Sequence, residues 1–227
     1  MLRKLAVVMA GAALLAMGGG AERPVQVVTT EAVDYSGGTV RLISTYGELN
    51  VETWDEPRVE VTATRTAFRH ADSKDEEQGK AYLNRIQVAV KKSGNGDVEV
   101  TTQFPGRNRF MRAIRGLGDF NLDYRVKVPR NARLEIRHGV GDVVVTGVAG
   151  NIDAAVRSGD IVVQLPGSEG YAIDAKTALG TVYSDTDGKQ GSSYLVGQRL
   201  EGGSGHTVRL RVSVGGISIQ RVGAATE

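Results

Sequence analysis

One recurring unit constrains this chain more than any other feature: an alternating strand, a glycine, and a second alternating strand. With Gly47, Gly141, Gly159, Gly180 and Gly215 set as position zero, the residues seven before are Val40, Leu134, Ile152, Ile173 and Val208. Those five before are Leu42, Ile136, Ala154, Ala175 and Leu210. Two after the glycine stand Leu49, Val143, Ile161, Val182 and Ile217, and four after stand Val51, Val145, Val163, Ser184 and Ile219. Successive strand side chains point to opposite faces, so each side of the glycine reads as a half-buried strand. Inward positions are odd before the glycine and even after it. The backbone must therefore turn a corner there to keep both strands on one core, and glycine permits that turn.

Gly141, Gly159 and Gly180 follow one another at steps of 18 and 21 residues, as stacked supersecondary units do. The predicted fold class is all-β: a β-solenoid-like stack of two-strand, glycine-cornered repeats with one short helix. An antiparallel β-sandwich is the alternative, since short strands and glycine turns also suit it. The 35-residue step to Gly215 holds the insertion "DTDGKQGSSYLVGQRLEGGSG", read as a loop with at most a hairpin. Regular repeats span 131–222. Residues 22–130 form a less regular part of the same single domain, 22–227. In that part "RIQVAVKKSGNGDVEVTTQFP" reads as a hairpin around Gly94 to Gly96, and "LDYRVKVP" as a further strand. The helix is expected over about 73–85, opened by a Ser73 to Glu76 capping box.

Residues 1–21 read as a signal peptide. Arg3 and Lys4 precede an apolar run from Leu5 to Met17, too short for the roughly 20 residues of a membrane-spanning helix. Gly19 and Ala21 suit the −3 and −1 sites for cleavage before Glu22. The expected location is the periplasm, the cell surface or the exterior, with no transmembrane segment after cleavage. No cysteine occurs, which excludes a lipid-bearing cysteine, a disulfide framework, a thiolate metal site and a cysteine nucleophile. Removing Arg3 and Lys4 from 28 basic residues leaves 26 against 26 acidic ones. A balanced chain argues against nucleic acid as a partner.

Four stretches together resemble the bacterial "putative adhesin" family of exported β-repeat domains. They are "VRLISTYGELNVETWDEPRVEVTATR", "IQVAVKKSGNGDVEVTTQFP", "YRVKVPRNARLEIRHGVGDVVVTGVAGNIDAAVRSGDIVV" and "LEGGSGHTVRLRVSVGGISIQRV". The likeness runs over about residues 27–222 in the family's order. It implies a β-solenoid-like exported domain with no catalytic residues to carry over.

Signs of chemistry are sparse. His70, His138 and His206 have no paired spacing that places two on one helical face, and His138 falls in a core-facing slot. Neither a G-x-S-x-G elbow nor a phosphate-cradling loop is present. Stacking forces equivalent outward side chains into columns about 4.8 Å apart. Six before the glycine come Glu135, Asp153, Asp174 and Arg209; one after come Asp142, Asp160 and Thr181. Stacked carboxylates need neutralising. Surface ion pairing with Arg137, Lys176 and Arg211 is the expectation; calcium and an acidic polysaccharide-cleaving cleft are the alternatives. "PGRNRFMRAIRGLGDF" sets Arg107, Arg109, Arg112 and Arg115 around Phe110, a candidate interaction site beside the plainer reading of a solvated loop.

The function these features predict is a non-enzymatic exported envelope or surface protein, a binding or structural module without a cofactor. Its expected partners are an envelope protein, a glycan or an anionic envelope surface, and self-association through open strand edges is a further expectation. A polysaccharide-acting enzyme and an envelope-stress accessory or sensor remain the alternatives.

Overall fold

Each position-zero glycine separates two strands in the computed structural model. It describes residues 24–67, 77, 80, 81, 83–104, 120–167, 170–185, 195, 196, 199–202 and 205–222. Around Gly47 lie β2 (Thr39–Tyr46) and β3 (Glu48–Trp54); around Gly141, β8 (Arg133–Val140) and β9 (Val143–Thr146). Around Gly159 lie β10 (Ile152–Ser158) and β11 (Ile161–Pro166). At Gly180 are β12 (Tyr171–Gly180) and β13 (Val182–Ser184); around Gly215, β16 (His206–Val214) and β17 (Ile217–Val222). The other strands, numbered in the same chain order, are β1 (Val25–Asp34), β4 (Arg58–Ala67), β5 (Gln87–Lys92), β6 (Val98–Gln103), β7 (Phe120–Pro129), β14 (Leu195–Val196) and β15 (Arg199–Gly202).

Strands before the glycines form one sheet and strands after them form the other. Among the described residues the first has the order β14-β12-β16-β10-β8-β2-β6-β5, with β15 also on β12. The second runs β1-β4-β7-β3-β9-β11-β17-β13. All rung-to-rung pairings are parallel. This is the β-solenoid-like stack. The less regular N-terminal part adds antiparallel pairs, β1 on β4, β4 on β7 and β5 on β6, so sandwich-like pairing does occur, at one end. The β5–β6 hairpin and the strand within "LDYRVKVP" stand where the sequence places them.

All four inward positions are buried in all five rungs, Ser184 being the single polar residue among them. The apolar ones belong to one hydrophobic cluster lying between the two sheets. Most of the helix expected over about 73–85, with its Ser73 to Glu76 capping box, lies outside the described residues; Glu77, Lys80, Ala81 and Leu83 are helical, and the Asn84 N–H donates to the Lys80 carbonyl at 2.9 Å. Leu83 is fully buried and clusters with Val25 and Ala67.

The glycine corner is a ladder of its own. Gly141 has φ +125°, outside the range that L side chains favour, and a Cβ there would overlap the carbonyl oxygen of Gly47. The Gly47 N–H donates to Val140 O at 3.0 Å, and the same bond repeats from Gly141 to Ser158, from Gly159 to Val214 and from Gly215 to Leu179. Backbone bonding thus continues through the corner without interruption.

Rungs do not stack in chain order. The last unit, β16 and β17, enters between the Gly159 and Gly180 rungs. The long insertion makes this possible: β14 and β15 return antiparallel along the far edge of β12, from Leu179 opposite Val196 to Ile173 opposite Gly202. The chain then crosses to the other edge of β12 to begin β16. The insertion is therefore more than a loop; it covers the last strand edge of that sheet.

Candidate functional site

Outward side chains of the β12-β16-β10-β8-β2 sheet form straight columns across the strands. The column six before the glycine reads, in space, Asp174, Arg209, Asp153, Glu135 and Arg41. Arg209 Nη1 lies 3.3 Å from Asp153 Oδ2, and its Nε 4.0 Å from Asp174 Oδ2. Arg137 bridges Asp153 at 2.8 Å and Glu135 at 3.2 Å; Arg41 bridges Glu135 and Asp97, each at 2.9 Å. Arg211 pairs with Asp174 and donates to its backbone carbonyl at 2.8 Å. Surface ion pairing is thus how the carboxylate column is neutralised, and no adjacent pair of its carboxylates is left without an arginine. Lys176, expected to help, makes no ion pair among the described residues.

The corner carboxylates do different work. Asp142 Oδ1 accepts the Asp160 N–H at 2.9 Å, and Asp160 Oδ1 accepts the Gly216 N–H at 2.6 Å. Each ties its rung to the next. Asp97, in the β5–β6 hairpin, accepts the Thr39 N–H at 2.8 Å, and this bond, with one from Asn95, holds its carboxyl below the usual range. Arg41 is pushed upward, first by its hydrogen bond to Glu135 and then by the charge of Asp97.

Beyond this column the same face changes character. Four before the glycine the order is Lys176, Arg211, Ala155, Arg137 and Ile43; two before, it is Ala178, Ser213, Arg157, Gly139 and Thr45. Four cations and no carboxylate occupy these ten places. They line a shallow trough. On β9, β11 and β17 the outward residues of the other sheet are uncharged, and Thr146, Gln164 and Gln220 form a row of side-chain hydrogen bonds there at 3.3 and 3.5 Å.

His138 is buried, as its slot predicts, with Nδ1 2.6 Å from Ser44 Oγ. Burial lowers its pKa, and the nearby Gly47 and Val140 carbonyls oppose that only in part. His206 is exposed beside Tyr171 and far along the chain from His138; His70 lies outside the described residues. Arg65 is a buried cation in β4, lowered by desolvation, with Nη1 3.2 Å from Thr29 Oγ1. Burial likewise raises the Tyr124 phenol, which meets Thr102 Oγ1 at 2.7 Å.

Arg107, Arg109, Phe110, Arg112 and Arg115 lie outside the described residues, as does the expected signal peptide. Among the described residues, no cluster of three or more His, Asp or Glu side chains is placed to hold a metal ion, and no helix is long and apolar enough to cross a membrane. Sequence reasoning singled out neither Arg41 and Arg157 nor Asp97. The register from Gly47 and Gly159 was enough to put Arg41 and Arg157 on this face; nothing in the hairpin marks Asp97 as their neighbour.

Three solved structures of bacterial proteins are similar over most of their length. A "putative cell adhesion protein" from Clostridium sporogenes has 16% identity, covers 88% of this chain and 100% of its own, and has a TM-score of 0.49. A "putative adhesin" from Parabacteroides distasonis has 12% identity, coverage of 86% and 97%, and a TM-score of 0.27. Another "putative adhesin", from Bacteroides fragilis, has 10% identity, the same coverages and a TM-score of 0.24. No curated protein matches the chain. The Toastrack family, DUF4097, matches residues 30–220, from within β1 to within β17, and so takes in every glycine rung. The chain belongs to the Toastrack family.

Proposed function

We propose that this protein is a non-enzymatic binding module exported to the cell envelope or surface. The observation that carries this reading is the state of the carboxylates on the β12-β16-β10-β8-β2 face: Asp153, Asp174 and Glu135 are each held by arginine. General acid–base work on a glycoside needs two carboxyl groups flanking the bond with their pKa values pushed apart. Here the same groups serve to hold a row of guanidinium groups in place. A rigid, ordered face of this kind suits recognition, because its side chains are already arranged before a partner arrives. Export is supported by the N-terminal Arg3, Lys4 and apolar run, and the absence of cysteine speaks against lipid attachment at a cysteine. The partner is an envelope component, protein or glycan, and the arginine-rich segment 107–115 offers a second contact.

Two assays test this. Purified protein should co-sediment with isolated envelopes in a salt-sensitive manner, because exposed charges are screened beyond about 8 Å at physiological ionic strength. Replacing Arg107, Arg109, Arg112 and Arg115 with serine should weaken that retention while leaving the fold intact. The protein should release no product from envelope polysaccharides; product formation abolished by Asp153→Asn and Asp174→Asn overturns the non-enzymatic reading.

A further inference from the structure

The acid-free lane beside the ion-paired column is the strongest unassigned feature of the described surface. Arg137, Arg157, Arg211 and Lys176 come from four consecutive strands, β8, β10, β16 and β12, so their charges advance along the stack rather than along any strand. Neighbouring strands are about 4.8 Å apart, which puts the β8 and β16 cations roughly 9–10 Å from each other with Arg157 between them. Arg157 and Lys176 are exposed and make no ion pair among the described residues. Arg137 and Arg211 are anchored from behind. Each donates Nη1 to backbone carbonyls, Arg137 to Ile136 and Asp153, Arg211 to Leu210 and Asp174, while each pairs with one carboxylate or two. A guanidinium has five N–H donors in a fixed fork, so anchoring some of them leaves others free for a ligand and orients them.

Apolar and hydroxyl groups interleave with these cations. Ile43 is 41% exposed at one end of the lane, Ala155 and Ala178 lie flat between the charges, and Thr45 and Ser213 supply hydroxyls. Small apolar surface next to cations and hydroxyls matches a sugar ring that presents C–H groups, hydroxyls and a carboxylate together. The two columns hold no aromatic side chain, so the base-stacking platform of single-stranded nucleic acid binding is missing from the lane. Nor does the shallow trough offer the deep pocket in which a protein partner's aromatic anchor is desolvated.

We infer that this lane is a binding site for a linear acidic polysaccharide, a chain of carboxylate-bearing sugars laid across the strands and parallel to the stack. The inference rests on the binding-module reading and names the ligand class and the face for it.

Calorimetric titration with oligogalacturonate, and with the same oligosaccharide methyl-esterified, isolates the carboxylates on a constant sugar backbone. The acid form is expected to bind at least about tenfold more tightly, a difference of about 1.4 kcal/mol, and to weaken as salt is raised. Arg157→Ser with Lys176→Ser should remove about that tenfold preference without shifting the unfolding midpoint, since both side chains are exposed and make no ion pair among the described residues. Equal affinity for acid and ester overturns the inference, as does a double variant that binds like wild type. A poly-glutamate peptide of equal length binding as tightly as oligogalacturonate overturns the assignment to a glycan. Envelope retention without any oligogalacturonate binding removes this inference and leaves the binding module standing; loss of both removes both.

Discussion

Substituting alanine for Gly141 tests the corner ladder on which the whole stack depends. Two independent penalties meet at this residue. Its φ of +125° is a conformation that costs an L residue about 1–3 kcal/mol. An added Cβ would also overlap the Gly47 carbonyl oxygen, a backbone atom within a bonded ladder that has no flexible side chain to swing aside. Relief requires the Gly47 and Gly141 rungs to part. That disturbs the bond from the Gly47 N–H to Val140 O and the bond from the Leu49 N–H to Asp142 O, 3.0 and 2.9 Å long. Adding about 1 kcal/mol for weakened backbone bonds gives an expected loss of about 2–4 kcal/mol.

Gly94 supplies the control. A Cβ there meets nothing within 4 Å, and Gly94 is absent from the positive-φ glycines. Gly94→Ala should change stability by no more than about 0.5 kcal/mol. Urea unfolding followed by circular dichroism measures both variants, and in a thermal scan the Gly141 loss corresponds to roughly 4–16 °C for a domain of this size. The reasoning fails if Gly141→Ala stays within 0.5 kcal/mol of wild type, or if Gly94→Ala is equally damaging, with about 0.5 kcal/mol marking the ordinary surface effect.

Three further outcomes are expected. Ile161→Ala, at a fully buried inward position, should cost about 2–5 kcal/mol by lost transfer energy plus cavity, whereas Asp160→Ala beside it should cost about 0.5–1.5 kcal/mol for its bond to Gly216; equal losses in chemical denaturation contradict the register. His138 has its pKa lowered below 6.5 in the fold, so the unfolded chain binds more protons there and stability falls as pH drops from 6.5 toward that lowered value. His138→Val, which copies Val156 and Val212 at the same position, should flatten that acid-side slope; an unchanged slope in urea midpoints measured between about pH 7.5 and 5 assigns it to other groups. N-terminal sequencing of protein recovered from the native host should read from Glu22, and an intact Met1 in a cytoplasmic fraction contradicts export.

The inward half of the fold was legible because burial follows a strict period. Val40, Leu134, Ile152, Ile173 and Val208 needed only a common glycine to fall into one column, and strand alternation did the rest. The corner was legible for a related reason: a change of parity between the two strands demands an unusual backbone conformation at one residue. The β5–β6 hairpin carried a local turn signal. Self-contained local chemistry of this kind survives in a sequence without knowledge of what lies next to it in space.

Order along the stack has no such local signal, and the chemistry of the outer face depends on it. In chain order Asp153 and Asp174 belong to consecutive units, and a stack built that way brings two carboxylates face to face. The 35-residue step to Gly215 lets the final unit enter between them, so that Arg209 separates Asp153 from Asp174 and Arg211 reaches Asp174 from the strand beside it. One topological exchange thus breaks a row of three carboxylates, leaving Asp153 and Glu135 adjacent with Arg137 bridging them, and at the same time sets Arg211 between β12 and β10 two positions along the strands. Columns six before the glycine hold the guanidinium groups; columns four and two before it present them to solvent. A variant that shortens the insertion and forces chain-order stacking should for that reason lose stability, because Glu135, Asp153 and Asp174 then stand in one row, while the acid-free columns keep the same residues in a new order; shortening that leaves the exchange intact should leave stability unchanged. Urea unfolding followed by circular dichroism separates these outcomes, and a chain-order stack as stable as wild type would contradict the role given to Arg209 in separating Asp153 from Asp174.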